Sequence, residues 1–394
     1  MTTKTGNLSL PLKLSFLIFS MVLNCMGIVI LQLSEAKITY EKLGFLESFK
    51  DLPIAFISLF AVSLISKTGT KKALLSALLT VGICSAILPF VEVFWFYKLW
   101  FAIIGVCFAI GKICVFGIIR NNIADEKSLA KTMNNVESSF MIGIFVVNTG
   151  FGWLISSPYS SFWKLGFLSV SVLSFITVFL FSKLDISEPA NDGKGLIEGI
   201  SGMVKLPVIA FFMVIFFIVF IEQSFNSWLP SYYKSHLKVN SFFALQATSF
   251  MALFSYAGRT VTARLIHRFS LANYYWICLA FIIIMLCIIS GIQYFYSSQS
   301  GILLYLFPVI GLFLSPLYPV INSRIIVGME REKISLLTSC IVIFSSLGSS
   351  VSSIVMSKLF GNSMLDWYSL YILAAVIVLL TVSSLYFYAA KKNL

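Results

Sequence analysis

Twelve runs of about 20 apolar residues, separated by short polar turns, leave this chain a single environment in which to fold. A helix rises about 1.5 Å per residue, so each run is long enough to cross a hydrocarbon core of about 30 Å. Inside such a core every backbone N–H and C=O must be bonded within its own segment, which restricts the runs to helices. They fall at 14–33, 44–66, 73–91, 95–119, 133–156 and 162–182, then at 206–229, 242–266, 272–292, 301–321, 336–360 and 367–390. The longest polar interval, 183–205, splits them six and six. The expected fold class is therefore an all-α membrane protein, with twelve transmembrane helices in two pseudo-symmetric six-helix bundles. The N-terminal bundle is expected over 1–182, a cytoplasmic linker over 183–205 and the C-terminal bundle over 206–394. A water-facing surface cannot be built from a chain that is 59% apolar and 11% charged.

The net charge of +12 does not point to nucleic acid, because the basic residues are spread over short turns and form no patch with interleaved aromatics. They follow the positive-inside pattern instead. Counting a cation within four residues of a run's end with the adjoining turn, and with the N-terminus inside, 18 of the 28 Lys and Arg lie inward, seven lie outside, and Lys50, Lys112 and Arg259 fall deeper within runs. Both termini are expected in the cytoplasm, and a bacterial inner membrane is the expected location, with the protein a monomer in the lipid bilayer. The seven cysteines all sit in apolar runs without a C-x-x-C pair and read as reduced packing residues. His236 and His267 are far apart, so no His-based metal site is expected, and no cofactor is implied. The first run is longer than a signal-peptide core and lacks an A-x-A site, so it reads as a true span.

The two halves echo each other. Phe101-Ala-Ile-Ile-Gly105 in the fourth run matches Phe307-Pro-Val-Ile-Gly311 in the tenth at an offset of 206, and the turns after the second and eighth runs match at 201. Asn24 and Asn226 stand at nearly the same offset. Parallel repeats of this kind place a solute site between the halves, near the bilayer midplane. Small residues at helical spacing, Ser345, Ser349 and Ser353 with Ser139 and Gly143, read as close helix packing.

Ionisable residues inside the runs are the candidates for function, because each costs about 2.5 to 3.5 kcal/mol to insert. Glu47, Lys50 and Asp51 stand at i, i+3 and i+4, which puts them on one helix face. This spacing suits a self-neutralising cluster, or an Asp51 that carries a proton with Lys50 tuning it. Glu222 lies in an unusually polar stretch that also holds Gln223, Asn226, Trp228 and Tyr232. Gln223 and Asn226 can hydrogen-bond vicinal hydroxyls, and Trp228 can stack on an apolar ring face. Glu137 is expected to pair with Lys112 or Arg259, as a strut or an inner gate. There is no G-x-S-x-G, Walker loop or H-E-x-x-H, so neither an enzyme nor a nucleotide-driven pump is expected. Uphill transport would draw on an ion gradient.

The six-plus-six pattern, the polar central loop and the basic turns resemble the major facilitator superfamily over essentially the whole chain. Its signature turn after the second span is similar to residues 62–71 here, where Lys67, Gly69 and Lys71 are kept and Val62 and Ser66 replace a glycine and an aspartate. The second copy keeps Arg268. Within the superfamily, Gln223, Trp228, Tyr232, Gly258-Arg259 and Ser315-Pro316-Leu317-Tyr318-Pro319 resemble the fucose/galactose/glucose proton symporters. That resemblance implies proton-coupled uptake of a sugar or related polar solute. The branch carries its coupling acids in spans one and four, where this chain offers Asn24, Gln32 and Lys112. Coupling then falls to Asp51, Glu137 or Glu222, solute contact to Asn24, Gln32, Lys112, Gln223, Asn226 and Trp228, and gating pairs to Lys50, Arg259, Lys67 and Arg268. An exporter or facilitator of an organic anion, and a non-transporting membrane sensor of the same fold, are the alternatives.

Overall fold

The computed structural model describes residues 3–122, 126–186, 206–265, 270–295, 300–327 and 334–392. Each apolar run forms a helix: α1 (Thr3–Asn24), α2 (Met26–Glu35), α3 (Tyr40–Thr68), α4 (Thr70–Ile87), α5 (Phe94–Asn122), α6 (Glu126–Ser156) and α7 (Gly166–Ser182). The second half gives α8 (Leu206–Ser235), α9 (Ser241–Leu265), α10 (Leu271–Phe295), α11 (Leu303–Leu314), α12 (Leu317–Val327), α13 (Ile334–Gly361) and α14 (Tyr368–Lys392). Two expected spans are interrupted. The tenth breaks between α11 and α12 at Ser315 and Pro316, where proline supplies no N–H to continue the ladder. The first breaks at Cys25, between α1 and α2, with no proline at that point.

Ten of the helical segments among the described residues are long and apolar enough to cross a membrane by length and composition. The other two crossings are α3 and α9, of 29 and 25 residues, which carry Glu47, Lys50 and Asp51 and Arg259 respectively. Helices such as α6 and α8 overrun the apolar runs by a turn or two, because a helix already nucleated continues into a polar flank at little cost.

The chain forms two compact units. One comprises Met1–Met26 and Phe49–Lys194, the other Gly27–Ser48 and Gly195–Leu394. Within the first, α1 packs along α6 and touches α5 and α7, while α4 lies against α5 and α7. Within the second the same neighbours recur: α8 packs along α13 and α14, and α10 lies against α11 and α14.

The duplication is most legible where backbones touch. A Cβ added to Gly105 of α5 would stand 2.2 Å from the Lys50 carbonyl oxygen of α3, and one added to Gly311 of α11 would stand 2.7 Å from the Met251 carbonyl of α9. Those two contacts are related by the offsets of 206 and 201 found in the sequence. A second pair repeats the pattern, with Gly143 of α6 against the Leu17 carbonyl at 2.6 Å and Gly348 of α13 against the Phe216 carbonyl at 2.3 Å. Helices whose lipid-facing surfaces are as apolar as the lipid gain little from hydrophobic burial, so such close approaches supply much of their association.

Gly105→Ala and Gly348→Ala are therefore expected to destabilise by about 1–3 kcal/mol through overpacking, whereas Gly150→Ala, with nothing within 4 Å of its added Cβ, should leave stability nearly unchanged. Thermal unfolding of the purified protein in detergent checks this ranking.

Candidate functional site

From Phe220 to Tyr233, helix α8 is buried except at three polar residues. Glu222, Gln223 and Asn226 are half-buried, whereas Ile221, Ser224, Phe225, Ser227 and Trp228 around them are buried. At about 100° per residue, positions i, i+1 and i+4 share one stripe of a helix. The partly open face of α8 thus carries a carboxylate and two amides one helical turn apart. The Arg259 guanidinium of α9, itself half-buried, is the charged group that acts on the Glu222 carboxylate.

Behind this face lies a closed hydrogen-bonded ring. Gln223 Nε2 donates to Glu47 Oε1 at 2.8 Å and to Ser227 Oγ at 2.6 Å, and Ser227 Oγ donates to Glu47 Oε2 at 2.9 Å. Glu47 has no exposed surface. The spacing rule placed Glu47 with Lys50 and Asp51 on α3 and gave no sign that its partners stand on α8. Of the other two, the Lys50 Nζ lies 3.8 Å from Asp51 Oδ1, with both side chains 7% exposed.

An aromatic wall backs the polar stripe. Trp228 is fully buried, its Nε1 donates to Ser353 Oγ at 3.1 Å, and its ring packs on Phe360 and Tyr40 at 5.0 and 6.1 Å. Its ring faces are thus occupied by protein. Ser224 Oγ meets Ser352 Oγ at 2.8 Å, so the serine face of α13 closes directly on α8.

The remaining expected site residues that are described stand on other helices. Asn24 ends α1 and donates from Nδ2 to the Ser20 carbonyl at 3.0 Å, and Gln32 on α2 donates to Glu35 Oε2 at 2.9 Å. The Lys112 ammonium on α5 lies 5.9 Å from the Phe108 ring centroid, and the Glu137 side chain on α6 is exposed. Lys67 belongs to α3, but its side chain, like all of Arg268, lies outside the described residues. The linker after residue 186 is outside them too. A cavity of about 320 Å³ in the first unit is lined by residues such as Ala77, Ala102, Val106 and Ile110, and holds none of these groups. Among the described residues no three His, Cys, Asp or Glu side chains gather as a metal set.

Just past the end of α8 a second polar group forms. His236 Nε2 lies 3.6 Å from Asp366 Oδ1, and the imidazole stacks on Tyr232 at 5.0 Å. Tyr232 stacks in turn on Tyr368 at 4.6 Å, and its hydroxyl accepts from Gln293, whose carbonyl accepts from Ser369.

The sequence matches the family model of the Major Facilitator Superfamily over residues 14–353. The chain belongs to the major facilitator superfamily. It is thus a multi-pass membrane transporter of that superfamily and not an enzyme. Solved structures agree on the fold. A D-xylose-proton symporter superposes with a TM-score of 0.77 at 14% identity, covering 96% of this chain and 97% of that one. The nucleoside transporter NupG gives 0.73 at 15% identity, covering 95% and 99%. A bacterial homologue of the human lysosomal transporter Spinster gives 0.65 at 13%, covering 98% and 96%. No curated protein matches the chain in sequence.

The turn between α3 and α4 is made by a glycine and held by a lysine. Gly69, the N-cap of α4, has φ 85°, a left-handed conformation that suits glycine. Lys71 Nζ donates to the carbonyls of Ser182 and Leu184 at 3.0 and 2.5 Å, and so ties the turn to the C-terminal end of α7. A cation there meets the unpaired carbonyls and the negative end of the helix dipole.

Burial lowers the pKa of His236 from its ordinary 6.5, and the Asp366 carboxylate only partly opposes that shift. The folded state therefore binds fewer protons here than the unfolded chain. The stability this confers is present above pH 6.5 and is lost as pH falls through the lowered value. His236→Gln is expected to flatten that part of the thermal midpoint against pH profile, measured between pH 7.5 and 4.5.

Proposed function

We propose that this transporter works by alternating access and couples proton entry to uptake of a sugar or a related polar organic solute. The observation that carries the reading is the α8 stripe, where a carboxylate and two amides stand half-buried on a predominantly apolar helix. Intramembrane polar groups are rare, and where they cluster they mark solute and proton paths. Gln223 and Asn226 are proposed as the central solute contacts, with Asn24, Gln32 and Lys112 as further contacts and Trp228 as the rigid wall behind them. Asp51, Glu137 and Glu222 are the proposed proton carriers, and Lys50, Arg259, Lys67 and Arg268 the gating charges. On this reading the moving halves are residues 1–182 and 206–394, joined by 183–205, in a bacterial inner membrane with both termini cytoplasmic and the protein acting as a monomer. The D-xylose-proton symporter and the nucleoside transporter among the structural neighbours support a hydroxyl-bearing solute.

A second reading, movement of an organic anion such as a sugar acid, draws on the half-buried Lys112 and Arg259. Uptake into proteoliposomes separates the two. Accumulation of D-xylose or uridine, driven by an inside-alkaline gradient and absent without it, is the expected result. Preference for D-glucuronate would favour the anion reading, and flux indifferent to the gradient would remove the coupling. Glu222→Gln or Asp51→Asn should lower gradient-driven accumulation by about ten-fold or more while leaving solute exchange at equal pH intact. If both variants accumulate solute like wild type, the proton moves elsewhere.

A further inference from the structure

The ring behind the α8 face has one consistent assignment of protons. An amide side chain has nearly isosteric ends, so its orientation is decided by its partners. Gln223 meets Glu47 Oε1, an atom of a carboxylate that only accepts, and Ser227 Oγ, whose single proton goes to Glu47 Oε2. Turning the amide over would set oxygen against oxygen at 2.8 Å. With the nitrogen inward, its two protons serve one acceptor each and the hydroxyl proton serves the third contact, so every donor is used once.

The backbone is built to bring Glu47 there. Gly44, one turn before it on α3, lies so close to α13 that an added Cβ would stand 2.2 Å from Ser357 Oγ and 3.0 Å from the Ser353 carbonyl. Gly27 of α2 meets the Asn226 carbonyl of α8 in the same way, at 2.9 Å from an added Cβ. Both approaches need a residue without a side chain, and together they seat the 27–48 segment against α8 and α13.

We propose that Glu47 is a positioning residue: by holding the Gln223 amide nitrogen, it leaves the carbonyl oxygen as the group Gln223 offers at the half-open face. Resting on the solute site proposed above, this sets the site's selectivity. Beside Gln223 stands the Glu222 carboxylate, a second acceptor. The face therefore favours solute groups that donate, namely hydroxyl or ammonium groups, over the acceptor-only edge of a carboxylate or phosphate. Glu47 itself does not touch the solute.

The test has two arms on the full-length protein. In the first, protein labelled with ¹⁵N-glutamine is studied by NMR in lipid nanodiscs, and the Gln223 side-chain amide is identified by its loss in Gln223→Leu. Its protons should exchange slowly in wild type and about ten-fold or more faster in Glu47→Gln, the scale of a hydrogen bond to a charged acceptor. Glu47→Asp keeps the carboxylate and should restore part of the protection, which separates lost orientation from lost fold. Exchange unchanged in Glu47→Gln overturns the proposal. In the second arm, Glu47→Gln should raise KM for D-xylose or uridine about ten-fold with kcat within about two-fold, and narrow their advantage over D-glucuronate. Unaltered preference among these probes, alongside faster exchange, overturns the selectivity. If wild type takes up none of the three, the reading of the solute fails, and the exchange arm alone still upholds or overturns the positioning.

Discussion

A charge placed in hydrocarbon costs about 2.5 to 3.5 kcal/mol even on the mildest scales, and this chain meets that cost by giving its buried charges protein partners. Glu47, without exposed surface, is held by an amide and a hydroxyl of α8. Lys50 and Asp51, side by side on α3, face each other at 3.8 Å. Glu222 lies in the field of Arg259. The helices that carry these groups are long enough to cross the bilayer, and they do so because their polar sides are turned inward against other helices.

What lets the helices come that close is the repeated use of glycine against carbonyl. Gly105 on Lys50 and Gly311 on Met251 are one contact made twice, as are Gly143 on Leu17 and Gly348 on Phe216. Duplicated backbone contacts hold each unit together, and the two copies differ in the charge they carry beside those contacts. Where the second copy has Met251, the first has Lys50, with Asp51 beside it. The close helix approaches in each unit are thus made by small residues rather than by the charged ones.

The twelve crossings and the duplication were legible because both are written in one dimension, as runs of fixed length and as matches at fixed offset. The breaks at Ser315 and Cys25 were not legible: Pro316 accounts for the first, yet Pro308 and Pro319 in the same run sit inside helices, and the second has no proline at all. Partnership across helices was not legible. Glu47 and Gln223 are 176 positions apart, and the local spacing rule grouped Glu47 with the charges nearest in sequence. Trp228 shows a different limit: a tryptophan after a polar cluster has the same composition whether its ring is open to solute or sealed. Only the packing of Phe360 and Tyr40 and the Ser353 hydroxyl show that it is sealed here.

The central claim is that the polar stripe of α8 meets water and not lipid, and thiol accessibility tests it most directly. In a cysteine-free background, Glu222→Cys, Gln223→Cys and Asn226→Cys are each treated with a small hydrophilic methanethiosulfonate reagent, with Ile209→Cys, on the exposed apolar side of the same helix, as the reference. The account predicts that the three stripe positions react in the membrane and the reference does not. Stripe positions as inert as Ile209→Cys would contradict it.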